Sequence, residues 1–385
     1  CIRQAGKSYL LYQRIQQLLR EEHNINEIVY INFDDERLRQ MTADDLDLIL
    51  QAYHSLFDLR PLLFFDEIQN IEGWEHFARR LANQKYNIYI TGSNAKMLSR
   101  EIATTLGGRF WNKDIYPYSF AEYLNARDII LSKNWIYGKQ AAEVSKAFND
   151  YFLYGGFPEL TDVIAKRVWL NDIYSKIFFS DLIVRNKVRN EEALGLLVRR
   201  LAENVKQPVS YTRLANLISS IGIKISKATV IEFIRYLKES CLIFPIENYA
   251  AKFAERNSNM KHYFIDNGLL SIFLLDGNTS LLENIVAIHL YKRYGAQLYF
   301  YNQNIEVDFV IPEAKTAIQV SYSLMDETTC RREVEGLIKL NRVFPMDNMC
   351  IITRDEERII THESGVSIHV IPVWKWLLEE EPLRT

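Results

Sequence analysis

Two short stretches constrain this chain more than anything else in it: Gly6-Lys7-Ser8 at the head of an amphipathic segment, and Asp66-Glu67 at the end of an unbroken apolar run. Ser8 to Leu19 carries Leu10, Leu11, Ile15, Leu18 and Leu19 on one broad stripe, the period of a helix. Pro61 to Phe65 (PLLFF) shows no alternation and reads as a strand covered on both faces. A Gly-Lys-Ser at a helix start lets backbone N–H groups curl around a phosphate, and the helix dipole favours the anion. Lys7 then reaches the β- and γ-phosphates, and the Ser8 hydroxyl coordinates Mg²⁺. Asp66 shares the Mg²⁺ shell with Ser8, while Glu67 orients and polarises an attacking water. Each stretch alone has a bland explanation, a chance helix start or a solvated turn. Together they point to a nucleotide site.

The surrounding pattern agrees. Through residue 125, apolar strands alternate with helical segments, as in an α/β domain with a parallel sheet. Glu27 to Phe33 and Asn87 to Thr91 are the further strands. The second ends in Gly92-Ser93-Asn94, where Asn94 at a strand tip is placed to sense a γ-phosphate, although Ser and Asn also simply cap helices. Arg109, after Gly107-Gly108, is a candidate to reach a neighbouring subunit's γ-phosphate. Arg3, Gln4, Ala5, Gly6, Lys7, Ser8 and Tyr9 are the expected nucleotide-contacting loop.

Composition excludes several alternatives. The net charge is -3, so any nucleic-acid surface has to be local. Cys1, Cys241, Cys330 and Cys350 are scattered with no CxxC pair, which argues against a zinc site or a disulfide framework and fits a reducing cytoplasm. No apolar run approaches the roughly 20 residues of a membrane span. The reading is a cytoplasmic protein with no membrane segment.

The loop before Ser8, FFDEIQN, ITGSNAKMLS, the GGRF segment and YPYSFAEYL, in that order, resemble the prokaryotic AAA-type ATPases whose carboxy-terminal region is the DUF4143 domain. YGGFPEL at 154–160, HYFIDNGLL at 262–270 and EVDFVI at 306–311 extend the likeness over nearly the whole chain. The resemblance implies ATP binding and hydrolysis in an AAA core, then a winged-helix region and a restriction-endonuclease-like module. The chain departs from the family at its first residue, where Cys1 replaces the first glycine of the loop and no strand precedes it. A Cβ in that tight turn adds strain, so weakened ATP binding is expected.

Four parts follow: an AAA-type P-loop domain at 1–125, a helical lid or linker at 126–190, a winged-helix-like part at 191–250 and a nuclease-like DUF4143 part at 251–385. The segment 191–240 holds eight Lys or Arg against five Glu. Ser210 to Ala215 starts one helix, Ser226 caps the next (Lys227 to Lys238), and Cys241 to Ile246 is the expected wing. Lys227, Arg235 and Lys238 are then candidates for DNA contact through residues 210–246, the alternative being a helical fold used for packing.

The helix–strand–strand–strand–helix order after Ser280 resembles the PD-(D/E)xK nuclease fold. Glu283 and Asp308 are its remaining acids; Gln319 stands for the second strand acid and Ser321 for the catalytic lysine. Serine supplies no cationic donor, so a degenerate module is expected, although the Gln319 carbonyl still suits a hard cation. The leading expectation is a Mg²⁺-dependent ATPase that switches contacts with DNA or a partner protein, with a homo-oligomer among the partners. An ATP-sensing interaction module without turnover and an ATP-regulated nuclease are the alternatives.

Overall fold

The computed structural model describes residues 2–92, 104–108, 110–252, 256 and 259–379. The chain divides into two compact units, Cys1–Tyr116 with Glu239–Cys241, and Pro117–Lys238 with Leu242–Thr385.

In the first unit the elements run α1 (Lys7–Arg20), β1 (Ile28–Asn32), α2 (Asp47–Leu56), β2 (Leu62–Asp66), α3 (Trp74–Asn83) and β3 (Asn87–Ile90). The sheet order is β1-β2-β3, and both pairings are parallel. Every residue of central β2 is buried, which is why its sequence is continuously apolar. Side chains alternate across it. Leu63 and Phe65 face Phe33, Leu46, Trp74, Phe77 and Leu81. Leu62 and Phe64 face Leu11 and Leu18 of α1. The stripe of α1 is narrower than its leucines suggest: Leu11, Ile15 and Leu18 pack on the sheet, whereas Leu10 and Leu19 are exposed. Asp66 follows Phe64 by two residues, so the alternation turns it toward the α1 side of the sheet.

In the second unit, α4 (Phe120–Ala126), α5 (Lys139–Tyr154), α6 (Lys166–Lys176) and α7 (Glu191–Glu203) precede β4 (Val209–Ser210). Then come α8 (Tyr211–Ser219), α9 (Lys227–Glu239), β5 (Ile243–Asn248), β6 (Asn259–Phe264), α10 (Asn267–Ser271) and α11 (Asn278–Tyr294). The chain ends with β7 (Tyr299–Asn302), β8 (Glu306–Ile311), β9 (Thr316–Val320), α12 (Glu327–Val343), β10 (Asn348–Thr353), β11 (Arg358–Thr361), β12 (Ser367–Pro372) and α13 (Val373–Glu379). The strands form one sheet in the order β11-β12-β10-β9-β8-β7-β5-β6-β4.

The stretch read as a wing, Cys241 to Ile246, is largely strand β5, with Ile243, Phe244 and Ile246 buried. It pairs antiparallel with β6 on one side and parallel with β7 on the other. The sheet therefore runs across residue 250, where a domain boundary was expected. Strands β6 and β11 were not anticipated. β6 carries Lys261 and His262 in its middle, and β11 is short and largely exposed, so neither shows a strand's usual apolar alternation.

Two motifs without evident chemistry, YGGFP and IDNGL, meet in the interior. The Asp266 carboxylate accepts the Gly156 N–H at 2.8 Å and the Gly268 N–H at 2.8 Å, capping α10. The Asn267 amide donates to the Phe152 and Leu281 carbonyls, both at 3.0 Å. Asn284 Nδ2 donates to Asn267 Oδ1 at 2.9 Å. Close approach explains the glycines: a Cβ on Gly156 would stand 2.3 Å from the Tyr118 carbonyl oxygen. Burial pushes Asp266 up to about 6, against the pull of its three backbone N–H donors.

Candidate functional site

Gly6 adopts a left-handed conformation (φ 94°) as the residue before α1, one that glycine takes at little cost. The first N–H groups of α1 have no intrahelical acceptors, as at any helix start. Lys7 is buried, at 7% exposure, with its ammonium 3.1 Å from the Ile2 carbonyl oxygen and 3.7 Å from Glu67. Burial lowers its pKa, and Glu67 and Asp66 oppose that shift.

Asp66 ends β2 at 1% exposure. Its Oδ2 accepts the Tyr30 hydroxyl at 2.8 Å and its Oδ1 accepts the Thr91 hydroxyl. Tyr30 lies on β1 opposite Phe64, so the parallel register puts it on the same side of the sheet as Asp66. Its hydroxyl also meets that of Tyr12, on α1, at 3.1 Å. Burial and both hydrogen bonds hold the Tyr30 phenol above its ordinary pKa. Glu67 donates its N–H to Thr91 Oγ1 at 3.2 Å, and Glu67 Oε2 accepts the Gln69 amide at 2.5 Å.

Gln4 and Glu67 both have left-handed backbones, at φ 55° and 53°. Such geometry costs non-glycine residues on the order of 1 kcal/mol and collects at functional sites. Lys7 and the distant pair Asp66-Glu67 thus converge at the start of α1. Tyr30 and Thr91 were missed. Asn94 and Arg109, the expected sensor and the expected in-trans arginine, lie outside the described residues, as does Cys1. The donor set fits a nucleotide with its cation: a glycine-led helix start for phosphate, and hydroxyl and carboxylate oxygens for a hard metal ion.

The nuclease-like residues are placed differently from expectation. Glu283 on α11 and Asp308 on β8 come together, but around the Lys261 ammonium, at 3.2 and 3.1 Å. Gln319 is engaged within the sheet: Oε1 accepts the Asp308 N–H at 2.9 Å and Nε2 donates to the Glu306 carbonyl at 3.1 Å. The Ser321 hydroxyl donates to the Ser323 carbonyl at 2.9 Å. No group of three or more Asp, Glu, His or Cys among the described residues is arranged to hold a metal ion. No described helix is long and apolar enough to cross a membrane.

A parallel α/β unit with a glycine-led helix facing an acidic strand end is the architecture of a P-loop domain, and residues 2–124 match the AAA domain family. The chain belongs to a family of AAA-domain proteins that includes the uncharacterized protein MJ1544 of Methanocaldococcus jannaschii. The two are 34% identical over 391 residues, spanning 98% of this chain and 87% of that protein. An uncharacterized protein of Haemophilus influenzae is 30% identical over 98% of this chain and 93% of its own length. Farther along the chain, residues 145–280 match a domain of unknown function, DUF8612, so the expected DUF4143 assignment rests on the sequence motifs alone. Among solved structures, the Walker-type ATPase PABY2304 of Pyrococcus abyssi superposes with a TM-score of 0.41 at 15% identity, covering 71% of this chain and 89% of that one; so loose a likeness adds nothing to the argument.

Proposed function

We propose that this chain is a Mg²⁺-dependent ATPase whose nucleotide state switches its contacts with DNA or a partner protein. The observation that carries the reading is the convergence of Lys7, Asp66 and Glu67 at the start of α1. Residues 3–9 wrap the phosphates, with the Lys7 ammonium leaving the Ile2 carbonyl for phosphate oxygens. Ser8 and Asp66 hold Mg²⁺, which neutralises phosphate charge when bound. Glu67 orients the attacking water. Tyr30 and Thr91 position Asp66 by fixing both of its carboxylate oxygens. Tyr30→Phe is therefore expected to raise the Mg²⁺ concentration needed for half-maximal turnover by roughly tenfold, the usual effect of removing a group that orients a metal ligand. An unchanged Mg²⁺ dependence removes Tyr30 from this role.

The DNA arm of the proposal draws support from the order α7, β4, α8, α9, β5, β6, with β6 paired to both β4 and β5. A winged-helix reading needs that order and that pairing. Lys227, Arg235 and Lys238 are exposed on α9, and Arg235 lies 3.8 Å from Glu232. Steady-state ATP turnover, measured with and without duplex DNA, tests the whole reading. Turnover stimulated by DNA is the expected result, with log binding constant against log salt falling at a slope of about -3 for three phosphate contacts. No turnover in either condition sinks the ATPase, and salt-independent binding sinks the DNA arm.

A further inference from the structure

Lys261 rises from the middle of β6, and its side chain is 0% exposed. Its ammonium lies 3.1 Å from Asp308, 3.2 Å from Glu283 and 3.3 Å from Glu306. The Phe300 ring lies beneath it, with the centroid 5.6 Å away. A buried ammonium is costly unless it is paired and hydrogen-bonded, and here three carboxylates share it. Burial works against its charge, yet the three acids outweigh burial and hold its pKa above the ordinary value.

Two of the acids take a further donor. The Tyr263 hydroxyl donates to Glu283 at 2.6 Å, and the Val320 N–H donates to Asp308 Oδ2 at 3.0 Å. A divalent cation draws its oxygen ligands to about 2.0–2.6 Å. The spacings around Lys261 are instead those of N–H···O contacts. The three acids come from α11 and β8, the elements on which a metal-dependent nuclease would carry its ligands, and the ammonium stands among them.

We infer that Lys261 is the resident cation of this acid cluster: its ammonium holds Glu283, Glu306 and Asp308 at spacings too wide for a metal ion as they stand, and removing it lets them close on a divalent cation. The carboxy-terminal unit is on this account metal-independent by construction, whatever the nucleotide site does.

The test uses the full chain without nucleotide, with Mn²⁺ as the probe, followed by titration calorimetry and thermal melting. The wild-type chain and Asp308→Asn are expected to bind Mn²⁺ identically, since the cluster takes none in either. Lys261→Met is expected to melt lower in metal-free buffer, to gain one Mn²⁺ site and to recover Tm in millimolar Mn²⁺. Lys261→Met combined with Asp308→Asn is expected to gain no site. If Lys261→Met does not fold without metal, recovery of folded chain on refolding with Mn²⁺ reads the same gain. Mn²⁺ binding by the wild type that Asp308→Asn abolishes overturns the inference. So does a Lys261→Met chain that gains no site, or that Mn²⁺ fails to refold.

Discussion

Glu67→Gln is expected to leave ATP binding within a few-fold of wild type while lowering turnover by a factor on the order of 10²–10⁴, the usual contribution of a positioned acid–base group. The amide keeps the size of the carboxylate, and its oxygen still accepts from the Gln69 side chain. It loses the negative charge 3.7 Å from the Lys7 ammonium, but Asp66 remains as a second counter-charge in the buried site. Titration with a fluorescent ATP analogue and a phosphate-release assay on the same preparation separate the two quantities. Unchanged turnover would take Glu67 out of the chemistry, whereas ATP binding without turnover in either chain would leave the ATP-sensing module as the better reading.

Gly268→Ala is expected to destabilise the carboxy-terminal unit by about 3 kcal/mol, at the upper end of overpacking costs. The new methyl would lie 2.1 Å from the Tyr154 carbonyl oxygen and 2.9 Å from Asp266 Oδ1. Neither neighbour can retreat easily. Tyr154 leads directly into Gly155, whose own Cβ position falls 2.0 Å from Asp266 Oδ1, and Asp266 is held by the Gly156 and Gly268 N–H groups. In a unit of this size such a loss lowers Tm by roughly 10 °C. Gly138→Ala is the control, because nothing lies within 4 Å of its Cβ position. It should cost less than about 1 kcal/mol, the scale of losing a good residue at a helix start. Equal melting of the two variants would show that the interior contact carries little of the stability.

What could be read in advance was local. Gly6-Lys7-Ser8 declares itself through residue type and an adjacent helix, and PLLFF through a continuous apolar run ending in acids. Tyr30 and Thr91 gave no such signal: each reaches Asp66 only through the parallel register of three strands widely separated in the chain. Gly156 and Asp266, 110 residues apart, explain why YGGFP and IDNGL looked empty of chemistry. Their work is a backbone contact that no spacing rule encodes. Lys261 was hidden for another reason. A lysine inside a strand is normally a solvated edge residue, and only the assembled sheet with α11 shows it enclosed by three acids.

Strand β5 belongs to two structures at once, since β6 takes one of its edges and β7 the other. A fragment cut near residue 250 to isolate the α8–α9 pair would keep β5 but lose both neighbours, leaving a row of bare N–H and C=O groups flanked by Ile243, Phe244 and Ile246. Such an edge recruits other chains. Strand β5 is thus better regarded as a rung of a long ladder than as the end of a separate module.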